Sequence, residues 1–249
     1  MRPDLERAQD ILAQGSQVAA AAGLSPAQAR IRVLRAEIQA TQDGNLARAI
    51  EACEQSAAVL ESEGDLEGLA EAWLSAGRLR FWAGAPGASE ALERAAACAR
   101  QGGNHHAEQE SRTWLVATLW DLPIPVDVAA GRAERLLEAA SGDPWDEAAI
   151  LHPLPLTYGY AGRFAEARAA CRRAQSILTA SGAKLGWARC VYLAGRIELM
   201  AGDPAAAEQN LREGYEALRA TGERGDRATI VTLLAEAAYA QGRLARRCG

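Results

Sequence analysis

Residues 198–211 read ELMAGDPAAAEQNL. Two apolar runs of helical character meet at Gly202-Asp203-Pro204, so the stretch is either a loop holding a working carboxylate or a bare corner between two helices. Each residue has a local reason to make a corner. Glycine can take the positive φ that ends a helix, aspartate can accept a free N–H of the next one, and proline suits the first helical position, where no donor is needed. Corners at Gly162-Arg163-Phe164 and Gly242-Arg243-Leu244 occupy the same place without an acid after the glycine. Asp203 therefore reads as an N-cap and not as a catalytic group.

The corner also serves as a ruler. Gly44, Gly84, Gly162, Gly202 and Gly242 form one series, its gap spanned by the proline-bearing corner Leu122-Pro123-Ile124-Pro125. A second series, Gly23, Gly64, Gly103, Gly142, Gly182 and Gly222, interleaves with it. Both keep a step of about 40 residues, so the repeating unit holds two elements and two turns. Between corners the pattern is helical: Leu185, Ala188, Val191, Ala194, Ile197 and Leu199 recur at three- and four-residue steps, as do Ala207, Leu211, Gly214, Tyr215 and Leu218. Each unit is then a helical hairpin. Such hairpins cannot bury an apolar face alone and stack on their neighbours, which predicts an all-α solenoid of about six repeats forming a single domain over residues 1–249.

Composition agrees. Of 249 residues 49% are hydrophobic, with alanine prominent and Phe, Trp and Tyr together only 5%, which favours helix over strand. A net charge of −5 offers no footprint for a phosphate backbone, which argues against direct nucleic-acid binding. The N-terminus lacks the order of a signal peptide and no window approaches a membrane span, so a cytoplasmic chain is expected. Cys53, Cys98, Cys171, Cys190 and Cys248 never form C-x-x-C, and Cys53 and Cys171 read as small core residues. Lys184 is the only lysine and no G-x-x-x-x-G-K-[ST] occurs, which excludes a P-loop.

Trp73-Leu74-Ser75-Ala76-Gly77 followed by Gly84, and Cys190-Val191-Tyr192-Leu193-Ala194-Gly195 followed by Gly202 and Ala207, resemble the tetratricopeptide repeat. Trp114 with Ala117 is a weaker copy, and Gly162-x-Phe164-x-x-Ala167-x-Ala169 is similar to the family's second-helix entry. The unit is about 40 residues where the family's usual length is about 34. In this it resembles the C-terminal repeats of actinobacterial regulators that also carry a nucleotide cyclase or helix-turn-helix domain and a P-loop ATPase. The resemblance implies a right-handed solenoid that begins on a repeat's second helix at Leu5 and Ala8 and ends just after the sixth repeat's first helix. It implies a non-catalytic interaction or ligand-sensing part of such a regulator, with catalysis in other domains. A C-terminal repeat left uncovered at Ile230, Leu233, Leu234 and Ala237 would pack on another copy, a partner or a further domain.

The resemblance also places a concave groove. Carried over residue by residue, its positions are Glu71, Leu74, Arg78 and Phe81; Arg112, Leu115 and Leu119; and Arg189, Tyr192, Arg196 and Leu199, with His152 from the helix between. Arginine can take a carboxylate bidentately and an adjacent aromatic supplies apolar area, so a protein or peptide ligand is expected there. The lysine and asparagine of the family's peptide-terminus clamp are missing at these positions. Trp73, Trp114 and Trp187 are assigned to packing between helices.

No cofactor or metal is expected. His105 and His106 read as an exposed turn, and the paired acids Glu61 with Glu63 and Asp146 with Glu147 as solvated helix faces or first-turn charges near a positive helix end. The segment Leu151-His152-Pro153-Leu154-Pro155-Leu156 is the anomaly, because two prolines must kink or break its helix. It reads as a tolerated kink. The alternative is a helical enzyme or small-molecule protein whose enclosed pocket forms around residues 150–160 and is reached by His152 and Tyr158.

Overall fold

The computed structural model describes residues 3–119, 124–140, 142–223 and 225–243. Among them lie thirteen helices and no strand. The chain divides into two compact units, Met1–Asp121 and Leu122–Gly249. The first contains α1 (Pro3–Ala21), α2 (Ser25–Asp43), α3 (Leu46–Ser62), α4 (Leu66–Trp82), α5 (Ala88–Gly102) and α6 (His105–Thr118). The second contains α7 (Val126–Ala139), α8 (Pro144–Leu151), α9 (Leu154–Tyr160), α10 (Phe164–Ala180), α11 (Lys184–Met200), α12 (Pro204–Ala220) and α13 (Gly225–Ala240).

Consecutive helices pack on one another through the first unit, and α2 with α4 and α4 with α6 meet as well. In the second unit α10, α11, α12 and α13 pack in sequence and α11 also meets α13. This is the repeat-like packing of an all-α chain. Its corners sit where the glycine series put them: all eleven glycines of the two series have positive φ.

The corner at Gly202 shows why. Its φ of 81° lets its N–H reach back to the Leu199 carbonyl at 3.1 Å while the Asp203 N–H reaches Glu198 at 2.9 Å, so the last carbonyls of α11 are satisfied. The Asp203 side chain then accepts the Ala206 N–H at 3.0 Å, with Pro204 beside it at the start of α12. The N-cap reading of Asp203 holds. Asp203→Ala is expected to lower stability by about 1 kcal/mol in urea denaturation, and an unchanged midpoint would remove the capping role.

In two of the hairpins, α4 with α5 and α11 with α12, the same close crossing recurs. A Cβ on Gly77 of α4 would stand 2.6 Å from Leu92 Cγ and 3.3 Å from the Ala88 carbonyl of α5; a Cβ on Gly195 of α11 would stand 2.7 Å from Leu211 Cγ and 3.1 Å from the Ala207 carbonyl of α12. The absence of a side chain lets each leucine sit over its glycine. Leu92 and Leu211 are fully buried.

Ion pairs tie the helices further. Both Asp65 oxygens take Arg30 of α2, at 2.7 and 2.5 Å, and Asp65 also caps α4 at the Gly68 N–H. The Arg30 guanidinium holds that carboxyl below its usual range. Arg168 of α10 clamps the buried Glu198 of α11 at 2.8 and 2.5 Å.

Cys53, Cys171 and Cys190 are buried, and burial pushes each thiol up to about 12. Leu185, assigned to the α11 stripe, is exposed, whereas Cys190 and Leu193 are buried beside Ala188, Val191 and Ile197. Alpha-helix α11 is covered on more than one side by α10, α12 and α13, so a single stripe does not describe it. Leu122, Pro123, Leu244 and Cys248 lie outside the described residues, as does the whole stretch after Arg243.

Candidate functional site

In the first unit the expected groove residues fall on α4 and α6. The Arg78 guanidinium stands 3.7 Å from Glu37 of α2, 5.4 Å from the Trp82 ring centroid and 5.8 Å from that of Trp114. Phe81 and Trp82 both meet Trp114 edge-on, at 5.4 and 5.5 Å. The result is an arginine seated among aromatic rings, with Trp82 half exposed. Cation–π attraction and the neighbouring carboxylate fix the guanidinium, while Arg78 Nε and Glu37 Oε1 are left without a hydrogen-bond partner.

The other expected positions of this unit behave differently. Glu71 is exposed, Leu115 is half-buried against the α4–α6 core, and Leu74 and Leu119 are buried. Arg112 is held by Glu108, 2.6 Å away on the same helix, and that carboxylate also takes Arg100 at 2.9 Å. Leu74 packs with Leu92, Ala95 and Ala107, so this position serves the core instead of an open face.

In the second unit Arg189 Nε donates to Asp226 of α13 at 2.7 Å, and Arg196 donates to the Tyr160 hydroxyl at 3.0 Å. Burial pushes the half-buried Tyr192 phenol up. Arg196 and Leu199 of α11, with Met200, line an open cleft of about 410 Å³, whose other wall is Thr229, Leu233 and Glu236 of α13. A guanidinium and a carboxylate thus face a cleft with an apolar floor, a combination that fixes the orientation of a ligand while burying its apolar part.

His152 does not line this cleft. The helix through residues 144–160 is broken into α8 and α9, with His152 and Pro153 between them, as the two prolines required. His152 Nε2 is sealed from solvent with no partner, in a residue that is half-buried as a whole. Burial, with the nearby Arg189 charge, lowers the imidazole to about 4, against the smaller opposite pull of Asp226. Tyr158 is buried under the Arg163 guanidinium, 4.5 Å from its ring centroid, and burial followed by Glu134 pushes its phenol up to about 12. His105 and His106 are exposed at the start of α6, which Asn104 caps at the Ala107 N–H.

Trp73 lies between the α2–α4 and α4–α6 cores with Arg94 stacked 3.8 Å over its ring, and Trp187 packs on the α11–α13 core, as packing residues should. Sequence reasoning missed Glu37, Trp82 and Glu236; it had Leu233 on an uncovered C-terminal face, of which Ile230 and Ala237 are instead fully buried, Ile230 in the core shared with α11 and α12. A signal existed for two of them: Glu37 stands one period before Arg78, and Glu236 one period after Arg196. Among the described residues no helix is long and apolar enough to cross a membrane, and no three His, Cys, Asp or Glu side chains gather as a metal set. Comparison with protein-family models finds no matching family, and comparison with curated proteins finds no match.

Proposed function

We propose that the chain is a non-catalytic interaction module built of about six tetratricopeptide-like hairpins, which takes a protein or peptide segment along the faces of its first helices. The observation that carries this reading is the cleft between α11 and α13, because two residues expected in the groove, Arg196 and Leu199, line it with Leu233 and Glu236 from the next first helix. The Arg78–Trp82–Trp114 cluster supports the same reading for α4 and α6. Arginine and tryptophan dominate interface energetics because both combine large apolar area with directional polar contacts. In the resembling regulators such repeats accompany separate catalytic domains, and this chain is read as the sensing or docking part of a similar cytoplasmic system.

The test compares the full chain with the double variant Arg78→Ala, Arg196→Ala as bait in extracts of the native host. Both side chains are partly exposed; because Arg78 also packs on Trp82 and Trp114, circular dichroism and the urea midpoint of each variant are compared with the unaltered chain, and the single variant Arg196→Ala repeats the test without touching that cluster. The expected outcome is loss of the partners retained by the unaltered chain, about tenfold or more in recovery for two lost hot-spot contacts. An unchanged set of partners overturns the groove reading.

A further inference from the structure

A second concavity lies on the opposite side of α2 from Glu37. Positions 32, 35, 36, 39 and 43 form one stripe of that helix by its 3.6-residue turn, and with the facing stripe of α3 they enclose an open cleft of about 330 Å³. Its floor is made of alanines, Ala36 and Ala40 on α2 and Ala49 and Ala52 on α3, which is why there is room between the helices. One period later Arg32 is replaced by Trp73, whose ring packs into both neighbouring cores.

Three guanidiniums stand around this space. Arg35 donates to the Leu12 carbonyl of α1 at 3.0 Å, and the side chains of Arg32 and Arg48 have no acceptor among the described residues. Arg30, two residues away, shows the contrast: it is committed to Asp65 and Glu67. The two acids that also line the cleft each accept one bond within its own lining, Asp43 from the Asn45 N–H and Glu51 from the Gln55 amide, so three guanidiniums stand against two carboxylates. Positive charge and donors therefore exceed their counterparts: three arginines and Gln39 line a space of small-molecule size.

We propose that this cleft binds a small oxyanion carrying two or more acidic groups, a phosphorylated or a polycarboxylate metabolite. Guanidinium forks match the paired oxygens of either group, and the spread of Arg32, Arg35 and Arg48 over two helices demands more than one acidic group for simultaneous contact. A ligand held in this way ties α2 to α3 and, through Arg35, to α1. The site does not rest on the groove reading: Arg78 and Arg196 take no part in it.

Isothermal titration of the full chain at fixed ionic strength, with inorganic pyrophosphate in one arm and citrate in the other, tests the site. The expected result is saturable binding of at least one of them with a Kd below about 1 mM, the preferred arm identifying the class. Arg32→Ala with Arg48→Ala should weaken binding by about tenfold or more, since each removes a charge-assisted donor. Arg132→Ala with Arg172→Ala makes the same change in charge at exposed positions of the second unit and should leave it within about twofold. Both pairs are exposed; the Arg32→Gln, Arg48→Gln variant repeats the test with longer side chains kept. Absence of binding in both arms, full binding by the Arg32/Arg48 variants, or equal loss in the two double variants overturns the site.

Discussion

Leu92→Ala is expected to destabilise the first unit by about 2–5 kcal/mol, and Leu211→Ala to do the same to the second. Each leucine is fully buried and sits over a glycine of the preceding helix, Gly77 or Gly195, at a distance that leaves no place for a side chain. Removing the leucine empties the tightest point of the hairpin, and neither backbone can close the gap without losing its register with the next helix. The loss combines the transfer term of the missing methyl groups with the cavity left behind. Urea denaturation followed by circular dichroism checks it, and tryptophan fluorescence separates the units once Trp145 and Trp187 of the second are replaced by phenylalanine, which leaves the four tryptophans of the first as reporters. The reciprocal variant Gly195→Val should cost about 1–3 kcal/mol by overpacking. A loss well below 1 kcal/mol from both leucine truncations would show that the crossings are not close-packed.

The second large effect is on pH dependence. His152 is lowered to about 4 in the folded protein, from an ordinary value of 6.5, chiefly by burial and then by the Arg189 charge. The unfolded chain therefore binds a proton in the interval where the folded chain does not, so stability falls as pH falls from 6.5 towards 4. The contribution is fully present above 6.5, and its loss by pH 4 amounts to about 3 kcal/mol on the second unit. Asp65 and Glu208, whose carboxyls are held down by their arginine partners, add a loss at still lower pH. Comparing the chain with His152→Leu isolates the histidine, because the carboxylates are common to both. The gap between their denaturation midpoints should change steeply between pH 7 and pH 4.5, and parallel pH profiles would show that His152 is not the titrating group.

What was legible in the sequence is what local chemistry decides. A helix ends at Gly202 because that backbone needs a positive φ, and the next begins because Asp203 and Pro204 satisfy or dispense with its free donors; both follow from three adjacent residues. The same reasoning located the eleven glycine corners of the two series and the break at Pro153, since each is a property of the residue and its immediate neighbours; it did not find Gly87, nor the crossings at Gly77 and Gly195, which depend on Leu92 and Leu211 of the next helix. The candidate site was legible only in part. Arg196 and Leu199 do line a cleft, yet Leu74 and Leu119 are buried and Arg112 is held by Glu108.

The sequence by itself determined that the chain is helical, where its helices stop, and which of its glycines turn corners. Only the tertiary structure decided which positions on each helix stay open, that the chain separates into two compact units, and that Arg32, Arg35 and Arg48 share one cleft. The reason is physical. A helix in this packing has neighbours on several sides, so exposure at any position depends on side chains some 40 residues away in either direction, and a one-dimensional apolar stripe does not carry that information.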